Sequence, residues 1–384
     1  MASKQLMDQF PSISYLEAKA KKRIPKVSWS YLQPGTGKGL AAQRNRARFD
    51  QYTLMPSFAK GTLKPNLQTT IFGKTYHTPF GIAPVGLTGL IWPRSEFFLA
   101  NAAHEYGFPF CLSTVATQTP EDVGKHMGDM GWFQLYPPKD PAIRADLLQR
   151  AKASGFHTLV ITVDVPAPGR REESRKAGMR MPVKFTPSII WDGITHPMWT
   201  IKTLLEGLPS LKTVASYAET TDMKVAAEYA RFKFRGDVDW NYIREVKALW
   251  NGPVIIKGIL SPKDAIKAVE EGLDGICVSN HGGRQFDGAP AAIDALPAIK
   301  QAVGDQARII FDSGITCALD IIKALALGAD FVLLGKAFMY GCAALGEKGP
   351  HHVADILIED LTNNMKQLGV ESVEELKKLH PTIC

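Results

Sequence analysis

None of the five cysteines, Cys111, Cys277, Cys317, Cys342 and Cys384, forms a Cys-x-x-Cys pair. That argues against a thiolate zinc site or a dithiol redox motif. Cys277 lies inside one apolar run and Cys111 begins another, the placement of reduced, buried thiols in a cytosolic protein. No stretch approaches the roughly 20 apolar residues a membrane-crossing helix needs. Met1 to Phe10 lacks an apolar h-region, so no signal peptide is expected. Also absent are a long Lys/Arg run and an aromatic-interleaved basic motif, which argues against a nucleic-acid partner. His351-His352 is the only adjacent histidine pair; beside Gly349 and Pro350 it reads as a solvated helix start, and no metal site is expected.

What is present is a soluble chain of 384 residues, 45% hydrophobic and 22% charged, long enough for one large α/β barrel or two ordinary domains. The net charge of +7 is modest and suits anionic substrates or anionic lipid heads. Pro11 to Lys22 has a helical pattern, followed by the aromatic-rich stretch Val27 to Leu32. Pro34-Gly35-Thr36-Gly37-Lys38-Gly39 resembles a phosphate loop only superficially. No Ser or Thr follows Lys38 and no strand leads in, so it is expected to be a mobile turn.

From residue 80 onward, eight short apolar runs alternate with helical patterns: Phe80–Val85, Phe110–Ser113, Trp132–Tyr136, Thr158–Val163, Val254–Lys257, Gly275–Ser279, Arg308–Phe311 and Phe331–Leu334. Strand–helix repetition implies parallel strands with right-handed crossovers, and eight units imply a (β/α)8 TIM barrel. An open doubly wound sheet is the alternative, but no Gly-x-Gly-x-x-Gly follows the first run. The expected organisation is a single domain: an N-terminal helical segment and barrel-bottom cover over 1–79, the barrel over 80–384, and an inserted loop over 172–238, after strand 4. A loop that long in a compact domain is a lid or a contact segment.

Barrel active sites sit at the C-terminal ends of the strands. The runs end in Pro84-Val85-Gly86, Ser113-Thr114, Gln134 with Tyr136, Thr162 with Asp164, Lys257, Ser279 with His281, Asp312-Ser313-Gly314, and Gly335-Lys336. Lys257 and Gln134 inside buried runs require a partner or a ligand. The last two rims match the place where barrels bind phosphate, with backbone N–H groups and Lys336 to hold the charge. Gln134, Thr162 and Lys257 can then face a flat heteroaromatic ring, which describes a phosphorylated cofactor such as FMN. Gly275 to Pro290 carries the rest: Ser279, Asn280, His281 and Arg284 around Gly282 and Gly283. His281 is suited to moving protons, oriented by Asp164, while Arg171 and Arg284 can clamp a carboxylate.

Ser279-Asn280-His281-Gly282-Gly283-Arg284-Gln285 resembles the signature of the FMN-dependent (S)-2-hydroxy-acid oxidase/dehydrogenase family, which includes glycolate oxidase, lactate dehydrogenase of the flavocytochrome type and mandelate dehydrogenase. Ile24-Pro25-Lys26 through Tyr31, Phe133-Gln134-Leu135-Tyr136, Thr162-Val163-Asp164, Gly169-Arg170-Arg171-Glu172 and Ile256-Lys257-Gly258 fall in the family's order over nearly the whole chain. The resemblance implies oxidation of an (S)-2-hydroxy acid to the 2-oxo acid. His281 would be the base, paired with Asp164. Arg284, Arg171 and Tyr31 would bind the carboxylate, and Tyr136 the reacting oxygen. Pro84, Val85, Gly86, Ser113, Gln134, Thr162, Lys257 and Ser279 would contact the flavin, and Asp312, Ser313, Gly314, Ile315, Thr316, Gly335 and Lys336 its ribityl and phosphate. His281 as base fits hydride transfer and a carbanion route alike.

Three departures from the family pattern stand out. Thr316-Cys317 replaces an Arg pair, and Lys336 replaces an Arg, so either weaker FMN binding or a compensating cation is expected at the phosphate. Val115 replaces a bulky aromatic of glycolate oxidase, which implies room for a larger substrate. Gly86 stands where oxidases often carry Ala and mandelate-type dehydrogenases carry Gly. The insertion, around Asp192-Gly193-Ile194 and His196-Pro197-Met198-Trp199, is similar to that of the membrane-associated bacterial mandelate and lactate dehydrogenases. That implies a cytoplasmic protein peripheral on the inner face of the cytoplasmic membrane, a membrane quinone as acceptor, and a homotetramer. The alternatives are a soluble oxidase producing hydrogen peroxide, a barrel enzyme that binds a phosphorylated ligand without moving electrons, and a non-catalytic lipid- or partner-binding module.

Overall fold

In the computed structural model, which describes residues 4–33, 35–167, 169–179, 186–218, 229, 234 and 236–383, the eight apolar runs become eight parallel strands. These are β1 (Phe80–Ile82), β2 (Phe110–Ser113), β3 (Gly131–Leu135), β4 (Thr158–Thr162), β5 (Val254–Ile259), β6 (Gly275–Val278), β7 (Arg308–Phe311) and β8 (Phe331–Leu334). Each pairs with its sequence neighbours, and β8 closes on β1 through Val332 opposite Phe80. The result is a (β/α)8 barrel, the form that buries strands on both faces and so permits unbroken apolar runs.

The lower end of the barrel is sealed by aromatic rings. A hairpin of Thr69–Ile71 and Lys74–Tyr76 brings Tyr76 under the strands. Trp132 Nε1 donates to Tyr76 Oη at 2.9 Å, and the Phe331 ring lies 5.7 Å from that of Tyr76 and 5.9 Å from that of Trp132. The buried indole N–H thus finds its acceptor in the Tyr76 phenol oxygen. Residues 1–79 thus supply the bottom cover through this hairpin. The helices of the same segment serve the opposite end. Helix Ile13–Arg23 packs on helix Lys336–Leu345, and helix Lys26–Leu32 brings Tyr31 and Leu32 to the cavity at the upper ends of the strands.

Three expectations are corrected. The insertion is not a plain loop: it contains helices Pro187–Thr195 and Pro197–Glu206, each begun by a proline whose missing N–H costs nothing there. Residues 180–185, 219–228, 230–233 and 235 of that span lie outside the described residues. His352 is buried rather than solvated, with Nε2 2.9 Å from the Phe10 carbonyl. The glycine cluster, apart from Pro34, which lies outside the described residues, is tied down. Thr36 N donates to Gly283 O, Gly37 N to Glu172, and Lys38 N and Ala41 N to Asp287. Acidic side chains from two other segments accept those amides, a pattern invisible in local sequence.

Candidate active site

A cavity of about 1190 Å³ opens at the C-terminal ends of the strands. Strand register sets its floor. Ser113 on β2 lies opposite Gln134 on β3, and Thr162 on β4 opposite Lys257 on β5. Ser113 Oγ donates to Gln134 Oε1 at 2.7 Å. Gln134 Nε2 is buried and finds no acceptor among the described residues. Lys257 is 4% exposed; its Nζ lies 2.7 Å from Asp312 Oδ2 and donates to Ser279 Oγ at 2.8 Å. Burial opposes the charge on Lys257, but Asp312 and other nearby acidic groups outweigh it and raise its pKa, so the ammonium persists.

His281 follows β6 on a turn that forces it to φ +58, sparsely populated for a residue with a Cβ. The turn is held by a reciprocal amide pair. Asn45 Nδ2 donates to Asn280 Oδ1 at 2.8 Å and Asn280 Nδ2 to Asn45 Oδ1 at 2.7 Å. Asn280 Oδ1 also accepts from Gly283 N at 3.1 Å. His281 Nδ1 lies 3.0 and 3.2 Å from the two Asp164 oxygens, which leaves Nε2 as the ring nitrogen able to take a proton. Burial lowers the imidazole pKa, against the pull of Asp164, so the ring is neutral near pH 7. Burial would raise Asp164, but His281 and Lys257 prevail and hold it below the usual carboxylate range.

Gly258 explains how Asp164 fits. It has φ +108, at an irregularity in the register of β5 with β6, and a Cβ there would fall 2.5 Å from Asp164 Cβ. Gly86 has a similar role: an added Cβ would meet Val115 Cγ2 at 2.7 Å and Tyr31 Oη at 3.3 Å.

Two cations converge above His281. The guanidinium carbons of Arg284 and Arg171 lie 5.1 and 5.9 Å from the Tyr31 ring centroid. Arg284 Nη1 donates to Leu32 O at 3.1 Å, and Tyr31 Oη donates to Gly86 O at 2.9 Å. No carboxylate among the described residues pairs with either arginine. Burial, with repulsion from Arg171, pushes Arg284 down to about 10. Two like charges with no carboxylate partner among the described residues form a site for an anion. Tyr136 lines the same cavity, its phenol pushed up to about 12 by burial and by Asp164, so it stays a neutral donor.

The far end of the cavity is built from the turn after β7 and the start of helix Lys336–Leu345. Ser313 and Gly314 have φ +91 and +89. Arg46 of helix Leu40–Gln51 is a further cation at this end, but it is engaged. It donates to Gly314 O at 3.2 Å, to Thr316 Oγ1 at 2.8 Å and twice to Asp320, and pairs with Asp50. Lys336 Nζ donates to Gln33 O at 2.6 Å. The residues therefore fit a flavin nucleotide. The orphaned Gln134 amide and the Lys257 ammonium suit an electron-poor ring with acceptor atoms, and the turn, helix N-terminus and Lys336 suit a phosphate.

All the site residues read from the sequence line this one cavity except Ser279 and Asp164, which reach it through Lys257 and His281. Sequence reasoning named Asn280 and Gly258 within motifs but gave them no role, and missed Asn45, Gln33 and Glu17, which carry no local signal.

A family model for FMN-dependent dehydrogenases matches residues 20–382. An L-lactate dehydrogenase of Pseudomonas paraeruginosa is 38% identical over 361 residues, covering 94% of each chain. Another, of Xanthobacter autotrophicus, is 37% identical over 369 residues, 96% of this chain and 95% of the relative. Among solved structures, the monotopic membrane protein (S)-mandelate dehydrogenase superposes with a TM-score of 0.91 at 33% identity, over 96% of this chain and 98% of that one. A mandelate oxidase follows at a TM-score of 0.84 and 29% identity, over 97% and 99%.

Proposed function

The chain belongs to the FMN-dependent dehydrogenase family, and from that premise we propose how its own residues oxidise a 2-hydroxy acid. It is an FMN-dependent 2-hydroxy-acid dehydrogenase of the lactate/mandelate type. When bound, FMN supplies the acceptor for the two electrons. Arg284 and Arg171, whose guanidinium carbons lie 5.1 and 5.9 Å from the Tyr31 ring centroid, bind the substrate carboxylate together with the Tyr31 hydroxyl. Tyr136 donates to the reacting oxygen. Nε2 of the neutral His281 takes the substrate proton, and Asp164 at Nδ1 fixes the tautomer and offsets the charge that then forms on the ring. Gln134, Thr162, Ser113, Ser279 and Lys257 hold the flavin ring, together with the backbone of Pro84 to Gly86. Asp312 to Thr316, Gly335 and Lys336 hold its ribityl and phosphate.

The observation that carries this reading is the His281–Asp164 pair beneath two unpaired arginines. Val115, Val165, Met179, Leu211, Val214 and Phe234 give the cavity an apolar wall, which supports a substrate side chain larger than a methyl group. The test is loss of flavin absorbance without oxygen while glycolate, (S)-lactate, (S)-mandelate and longer (S)-2-hydroxy acids are titrated. Bleaching by at least one of these is expected, fastest with a large side chain. No bleaching by any would overturn the reading, and lactate as the fastest would overturn the side-chain assignment.

Membrane contact and a quinone acceptor are the second part of the proposal. Helices Pro187–Thr195 and Pro197–Glu206 dock on the body through polar groups: Lys26 N donates to Asp192 at 2.6 Å and Trp199 Nε1 to Leu90 O at 3.1 Å. Their large apolar side chains face outward, with Trp191 67%, Ile194 63%, Leu204 71% and Leu205 75% exposed. This inversion suits a lipid surface, and no helix among the described residues is long and apolar enough to cross a membrane. Reduction of a quinone in vesicles, with little hydrogen peroxide formed, is expected; rapid peroxide formation would favour the oxidase alternative. A homotetramer remains part of the proposal, checked by light scattering.

A further inference from the structure

At the phosphate end the barrel does not work alone. Lys336 is half-buried, and its ammonium is held by a carbonyl that belongs to the N-terminal segment, Gln33 O. Gln33 in turn is fixed by both atoms of its side-chain amide. Nε2 donates to Glu17 Oε1 at 2.6 Å, and Oε1 accepts from the Tyr340 hydroxyl. Tyr340 lies one helical turn beyond Lys336 and stacks on Trp29 at 6.0 Å. Glu17, Gln33, Lys336 and Tyr340 all line the cavity beside Gly335 and Gly314. Because an amide can satisfy a carboxylate and a hydroxyl at once only in one orientation, this network fixes where the Gln33 carbonyl points, and so where the ammonium sits.

We infer that Gln33 and Glu17 are positioning residues for the cofactor's phosphate: they aim Lys336 into the phosphate end and, through the Glu17 carboxylate, keep it charged there. This rests on the assignment of FMN to the cavity. The supporting electrostatics are these. Burial and repulsion from Arg284 push Lys336 down to about 8, while Glu17 pulls it back up. Tyr340 is raised well above the usual phenol range by burial and by Glu17, so it remains a neutral donor. The charged and titratable groups facing Lys336 are therefore Arg284 from the turn after β6, Glu17 from helix Ile13–Arg23, and Tyr340 on its own helix. Arg46 is satisfied by Asp320 and Asp50 and leaves Lys336 as the adjustable cation.

The sign follows directly. A lysine lowered to about 8 is protonated below that pH and neutral above it, so phosphate affinity, full once the phosphate is doubly ionised above about pH 6, declines as pH rises through about 8. Phosphate-free riboflavin should not show this decline. The experiment measures dissociation constants of FMN and riboflavin for apoprotein, by quenching of flavin fluorescence, from pH 6 to 10. For the native chain the FMN-over-riboflavin preference should fall roughly tenfold per pH unit above the midpoint. Glu17→Gln should move the midpoint to lower pH. Gln33→Leu should cut the preference at neutral pH by roughly tenfold. Lys336→Arg should restore the preference and flatten its pH dependence, since a guanidinium does not titrate there. A midpoint unmoved in Glu17→Gln, or a preference unchanged in Gln33→Leu and in Lys336→Met, overturns the inference while leaving FMN in place. Binding of neither flavin overturns the inference and the cofactor reading together.

Discussion

The two ends of the cavity solve opposite problems. At the substrate end, one carboxylate and one imidazole face each other 3.0 Å apart beneath two arginines that lack an anion. At the phosphate end the cations are already engaged: Arg46 by two aspartates and Lys336 by a backbone carbonyl. The first end keeps charge unsatisfied so that a small anion is drawn in and oriented for reaction. The second commits its charges to the protein and leaves a modest residue of attraction for a ligand that stays. Unsatisfied buried charge costs stability, and it is tolerated where turnover needs it.

The contrast breaks most sharply at His281. His281→Gln should slow flavin reduction by roughly 10²- to 10⁴-fold while FMN content stays that of the native chain, measured by stopped-flow absorbance and flavin release. Equal loss of FMN would mean the two ends are not separable. Lys257→Met is next. It strands Asp312, 10% exposed, without its partner, and should cost about 3–5 kcal/mol of stability along with bound flavin, read by chemical unfolding. Gly258→Ala acts at the substrate end alone. A Cβ 2.5 Å from that of Asp164 must displace the carboxylate, and turnover should fall roughly 10²-fold with the flavin spectrum unaltered. A turnover near native would show that Asp164 need not stay where it is. The smallest effect on chemistry belongs to the insertion. Trp191→Asp combined with Leu204→Asp should release the protein from anionic vesicles while kcat for the soluble half-reaction is unchanged. Retained vesicle binding would assign those side chains to another contact.

Much of this was readable in the chain because barrel strands are continuous apolar runs whose polar residues begin where the strand ends. Gln134, Thr162, Lys257 and His281 each stand at such a boundary, so both the (β/α)8 fold and the rim were legible. What stayed hidden depends on segments far apart in sequence. Asn45 meets Asn280 across 235 residues and Lys336 meets Gln33 across 303, and neither pair has a local pattern. The glycine cluster at 35–39 was expected to be mobile because its composition is permissive; Glu172 and Asp287 restrain it by accepting its amides. His352 was expected in solvent because its neighbours are Gly349 and Pro350, but helix Lys348–Leu368 packs that face against the N-terminal segment.

The central claim is that a neutral His281 takes the substrate proton beneath a charged arginine pair. The pH dependence of the second-order rate constant for flavin reduction without oxygen, at limiting substrate, tests it directly, because that constant reports the groups of the substrate-free site. The rate constant should rise with pH through a value below that of an ordinary histidine, because burial favours the neutral ring. It should fall again as Arg284 loses its proton near about 10. The rising limb should vanish in His281→Gln. A rising limb that survives in that variant at native amplitude would place the base elsewhere and contradict the account.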